Sequence, residues 1–211
     1  PDLDALKTPT EARQFLERLR AKTNKVVQDF AGGVINQRQF QAVYGHYQRQ
    51  RQEIEQALIQ MPGSGAWRAA AVEGHTTFLR EQHAAKVLSY AIYATASGMA
   101  LAQVGDLRVD PELLVPMLSS FRSITQGLFG AGMRRTEIDG GRWLCFVPGQ
   151  YTTLLVIFSA EPATLQLQMI EDLHRDFEFV NQLTLSRGDV SQRALTFTHL
   201  WAFEGEPVGA S

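Results

Sequence analysis

The chain is expected to fold as an α/β (α+β) protein: a five-stranded antiparallel sheet with β-β-α-β-β-β-α order and flanking helices, preceded by an αα-hairpin. Three observations lead there. Before residue 62, two long stretches repeat apolar residues close to every 3.6 positions on either side of Gly32-Gly33. Further on, short alternating runs are divided by Ser97-Gly98, Asp139-Gly140-Gly141 and Pro148-Gly149-Gln150. Helical patterns follow Asp110-Pro111-Glu112 and Pro162. The expected organisation is a helical hairpin over 1–63, a linker or extra element over 64–85, a main domain over 86–182, and an extension over 183–211 with one strand.

Thr8-Pro9-Thr10-Glu11 reads as a helix start, because a hydroxyl caps orphan amides and an acid suits the positive end of the dipole. Apolar residues recur at Ala12, Phe15, Leu16, Leu19, Val26, Val27 and Phe30 until the glycine pair interrupts. A second helix is expected from a cap near Asn36 to about Met61. Its apolar face is Phe40, Val43, Tyr44, Tyr47, Ile54, Leu58 and Ile59. Residues 61–65 (MPGSG) then read as a linker. Such a hairpin buries little surface alone, so it should dock on the rest of the chain or pair with another copy. The stretch FAGGVINQRQF, residues 30–40, resembles the glycine-isoleucine-x-x-x-x-phenylalanine turn of short helical oligomerisation modules. Residues 66–86 show no clear period and stay unassigned.

Tyr90, Ile92 and Ala94 alternate with Ala91, Tyr93 and Thr95, and residues 99–104 resume the alternation after Ser97-Gly98. A β-hairpin closed by Gly105-Asp106 follows. At Asp110-Pro111-Glu112, Asp caps, Pro presets φ and Glu suits the dipole. Leu113, Leu114, Met117, Leu118, Phe121, Ile124, Leu128 and Phe129 form a stripe wider than one sheet face needs. Pro116 moves the regular start later or kinks the first turns. In the meander that follows, residues 154–158 are apolar on both faces, as a central strand should be. Arg134–Ile138 is short and polar, which suits an edge strand that is available for pairing or blunted by charge. The last helix carries Leu165, Leu167, Met169, Ile170, Leu173, Phe177 and Val180. Alternation over 194–203 predicts one further strand, with 205–211 frayed.

From residue 86 to 181 the landmarks are an apolar strand, a Ser-Gly turn, a second strand ending in glycine and an Asp-capped helix. An Asp-Gly-Gly hairpin, a strand of the LLVIF type and an amphipathic terminal helix complete them. Together they resemble the Roadblock / dynein light chain family, within the profilin-like and longin-like fold group. The resemblance implies a homo- or heterodimeric scaffold whose first helix and neighbouring edge strand build the dimer. It also implies a small Ras-like GTPase as partner. Carried to matching positions, it marks Leu114, Leu118, Phe121 and Leu128 on the helix and Arg134, Thr136 and Ile138 on the strand as dimer or partner interface. The hairpin over 9–61 and the tail beyond Asn181 depart from the short members of that family.

Composition is ordinary for a soluble globular protein, with 45% hydrophobic and 20% charged residues among 211. A formal net charge of -2 leaves no electrostatic footprint for nucleic acid. Arg38, Arg49 and Arg51 on the second helix keep a DNA-reading alternative open, although glutamines interleave them and Glu53 and Glu55 follow. Cys145, the one cysteine, sits in an apolar strand and reads as an inert buried thiol. Five dispersed histidines have no ligand spacing, and no Walker loop, nucleophile elbow or dinucleotide fingerprint occurs. No catalytic residue, metal site or cofactor is therefore expected, nor any enzymatic activity. No apolar run reaches the ~20 residues of a membrane span. The charged first residues do not read as a secretory signal, so a cytoplasmic protein is expected. A sensor or small-ligand module of the same fold group, and more remotely a nucleotide-handling enzyme, are the other readings open at this point.

Overall fold

A computed structural model describes residues 3–71, 76–107 and 134–198. The chain divides into two units, Pro1–Ala84 and Ala85–Ser211. In the first, α1 spans Leu3–Ala31, α2 Gln37–Gln60 and α3 Thr76–Gln82, with a 3-10 turn at Ala66–Ala69. Helix α1 starts before the expected cap, so Thr8 and Pro9 lie inside it and Pro9 gives up one ladder bond in the second turn. Helix α2 begins where expected. The Asn36 side chain accepts from the Gln39 amide at 2.8 Å, and the Gln39 side chain accepts from the Asn36 amide at 2.9 Å.

The two long helices bury Ala12, Phe15, Leu19 and Val26 against Val43, Tyr47 and Ile54. Trp67 from the 3-10 turn joins them, its ring 6.2 Å from that of Phe15. Val27, Phe30 and Ile59, expected on the apolar faces, are exposed. Gln50 lies on the buried line instead, its amide donating to the carbonyl of Ala70 at 2.9 Å. Part of the unassigned stretch is thus the 3-10 turn and α3. The carbonyls of Arg80 and His83, at and beyond the end of α3, accept from Gln39 Nε2 at 2.7 Å and Asn36 Nδ2 at 3.0 Å.

The second unit has the expected α+β architecture. Strands β1 (Val87–Ala94), β2 (Ala100–Val104), β3 (Arg134–Ile138), β4 (Arg142–Pro148) and β5 (Thr152–Phe158) form one antiparallel sheet in the order β2-β1-β5-β4-β3. The all-apolar β5 is the central strand and is buried throughout. Alternation sends Tyr90, Ile92, Cys145, Leu154, Val156 and Phe158 to one face, and Ala91, Tyr93, Leu144, Phe146, Leu155 and Ile157 to the other. Both faces are buried. An extra residue in β2 shifts the register beside Ile92 and Tyr93, and Leu101 and Ala102 both join the first core. Gly105 closes β2 at φ +76, where a Cβ would lie 2.7 Å from the Leu88 carbonyl oxygen, so only glycine fits.

Helix α4 (Thr164–Val180) covers the first face and is followed by the short α5 (Gln182–Ser186). Its N-terminus is held by Gln166, which accepts from the Ala163 amide at 2.9 Å and donates to the Ala85 carbonyl at 2.9 Å. The helix expected after Asp110 lies outside the described residues. The strand expected over 194–203 is corrected where it is described: a 3-10 turn at Gln192–Ala194 leads into chain that joins no sheet. Asn181 supplies what a neighbouring strand would. Its amide donates to the Thr196 carbonyl at 2.8 Å, and its side-chain oxygen accepts from the Thr196 amide at 2.7 Å.

Candidate interaction surface

Of the seven expected interface residues, Leu114, Leu118, Phe121 and Leu128 lie outside the described residues. The other three sit on β3 at alternate positions: Arg134 across from Phe146, Thr136 from Leu144 and Ile138 from Arg142. Among the described residues, strand β3 is at the sheet edge and its neighbour is β4. Thr136 is exposed, while Ile138 packs against the second-face core. The other residue of the arginine pair is turned to the opposite face. Arg135 meets Glu161 at 3.4 Å and lies 5.8 Å from the centre of the Trp143 ring, which ties the charge to its own sheet.

Helix α4 corrects the expected core stripe. At about 100° per residue, the inward line is Ala163, Leu167, Ile170, His174, Phe177 and Asn181. Leu165, Met169 and Val180 instead face solvent, at 46, 58 and 56% exposure, joined by Phe179 at 78% and Leu183 at 74%. The helix carries two apolar lines, one buried and one exposed. The polar residues on the true inward line, His174 and Asn181, carry no apolar signal. The exposed apolar line has Asp172 and Asp176 among it.

Beneath the inner side of α4, Glu178 holds the β4–β5 turn. One carboxylate oxygen accepts from the Gln150 amide at 2.7 Å. The other accepts from the amides of Tyr151 and Thr152, at 2.8 and 2.7 Å, and from the Thr152 hydroxyl at 2.8 Å. A side chain on Gly149 would place its Cβ 2.3 Å from that carboxylate. His174 lies beside this cluster, its Nε2 3.4 Å from both the Thr152 hydroxyl and the Thr152 carbonyl oxygen. The carbonyl only accepts, and the hydroxyl proton is already given to Glu178, so Nε2 carries the imidazole proton.

Burial pushes the His174 pKa below the usual 6.5, against the opposing pull of Glu178 and the Thr152 carbonyl. The unfolded chain therefore takes up a proton that the folded chain refuses. Stability from this source is full above pH ~6.5 and declines as pH falls through that value, by up to about 1.4 kcal/mol per pH unit for one proton. Chemical denaturation at pH 7 and pH 5 should show a smaller acid loss in His174→Gln than in the unsubstituted chain. An equal loss in both would remove His174 as its source.

Burial also pushes the Cys145 thiol up to about 12, with Arg135 pulling weakly the other way, which leaves it an inert core group. Among the described residues, no group of three or more His, Cys, Asp and Glu side chains is placed to hold a metal ion. No helix among them is long and apolar enough to cross a membrane. Of the second-helix arginines, Arg51 is paired with Glu55 at 3.7 Å. No protein-family model and no curated protein matches the chain.

Proposed function

We propose that the chain is a non-enzymatic, homodimeric scaffold of the Roadblock kind that receives a small Ras-like GTPase. The observation that carries this reading is the position of β3. A short strand at a sheet edge offers its outer backbone groups to another chain, and Thr136 within it is exposed. The outer line of α4 supports a second contact through its exposed apolar residues.

Light scattering should find a dimer at tens of micromolar, and Leu118→Asp or Phe121→Asp should split it with the far-UV circular dichroism unchanged. A strict monomer at those concentrations overturns the dimer. Met169→Asp with Val180→Asp should leave stability within about 0.5 kcal/mol. The same pair should weaken binding of a Ras-like GTPase, titrated in both its GDP- and GTP-analogue-loaded forms. Absence of binding in both forms overturns the partner.

A further inference from the structure

We infer that strand β3 recognises β3 of a second copy in a single register, antiparallel about a two-fold axis at Thr136, and that Arg135 and Glu137 select that register. The inference rests on the homodimer proposed above and adds which residues meet in it. Of the two sheet edges among the described residues, β2 carries a bulge beside β1, a device that turns an edge away from partners. Strand β3 instead runs against β4 over all five residues, Arg134–Ile138, with no shift of register.

Charge decides how a second β3 can lie beside the first. A two-fold axis perpendicular to the sheet keeps every residue on its own face, so facing positions are both odd or both even. Arg135 and Glu137 share a face, across from Cys145 and Trp143 of β4, and both are exposed. With the axis at Thr136, Arg135 faces Glu137 of the copy and Glu137 faces its Arg135. One symmetric contact then makes two pairs of opposite charge. Moving the axis by one residue sets Arg135 against Arg135, or Glu137 against Glu137. Like charges directly opposite destabilise a strand pair and opposite charges stabilise it, so the axis at Thr136 wins. The pair within the chain leaves Arg135 able to do this. Its contact with Glu161 is 3.4 Å long, its side chain stays 40% exposed, and a guanidinium has five donors to share.

Charge swaps in the full chain, followed by light scattering, test this. Arg135→Glu and Glu137→Arg should each raise the dimer dissociation constant at least about tenfold, because each turns two attractive pairs into two repulsive ones. The double swap should return it to within about threefold of the original. Mixed one to one, the two single-swap chains should form a dimer with each other that each forms poorly alone, since all the facing charges are then opposite. A covalent test leaves those charges in place. In a chain carrying Thr136→Cys the new thiols face one another across the axis, at the ~4.5–5.5 Å Cα separation of facing residues, and mild oxidation should link the dimer. With the axis one residue away they stand about 7–8 Å apart, too far to bridge. Cys145 is buried and does not compete. A dimer indifferent to the swaps, or a dimeric Thr136→Cys chain that does not cross-link, overturns the register and leaves the homodimer to another surface. An unsubstituted chain that stays monomeric overturns the homodimer itself and this inference with it.

Discussion

Glu178→Ala should lower the unfolding free energy by about 3 kcal/mol, because it strands three consecutive backbone amides that a single carboxylate now satisfies. A charged acceptor is worth more than a neutral one, so Glu178→Gln should recover only part of the loss. The same site is sensitive from the opposite side. Gly149→Ala puts a methyl group where the carboxylate oxygens sit, 2.3 to 2.6 Å from the ideal Cβ. Such a contact is cheap when a flexible side chain can swing away, but this one is pinned by four hydrogen bonds. Glycine at 149 and glutamate at 178 therefore act as one unit, and the double variant should lose much less than the two single losses added. Urea denaturation of the four proteins measures this. Strict additivity would mean that the two residues do not share a mechanism.

Phe177→Ala should cost about 3–5 kcal/mol, the range for removing a buried aromatic from a core that relaxes only in part. Phe177 is fully buried and stacked on one side against His174, 6.2 Å between ring centres, and on the other against Phe197. Its loss opens a hole among helix, sheet and tail together. Phe179→Ala, two residues along the same helix, supplies the control: at 78% exposure it should change stability by less than about 0.5 kcal/mol. A comparable cost at both positions would show that α4 does not pack with the face assigned to it.

The contrast between Phe177 and Phe179 also marks how far the sequence could be read. The strands were legible because their turns are glycine-marked and a two-residue period has one phase to find. Residues 154–158, apolar on both faces, could hardly be anything but central. The edge placement of Arg134–Ile138 followed from its short length and polarity. Helix α4 was harder. Eight large apolar residues in one helix admit several inward lines, and the correct one contains His174 and Asn181, whose roles arise from distant partners at Thr152 and Thr196. Nothing local to Asn181 announces that its amide will stand in for a β-strand. The alternation at 194–198 was real as well, but it serves a seat beside a helix and not a place in a sheet. Glu178 was equally silent, since a glutamate on an amphipathic helix ordinarily faces water. Residues 66–86 had no period to read because α3 is only seven residues long.

That shortness has a consequence for how the first unit assembles. A seven-residue helix lies well below the ~12–15 residues at which an isolated helix becomes even marginal in water. The carbonyls at its far end are met by Asn36 and Gln39, the two residues that also start α2. Those side chains are aligned only once the first turn of α2 has wound. Helix α3 is therefore conditional on a turn some forty positions upstream: the start of one helix is the stop of another, and the two should appear and disappear in a single step.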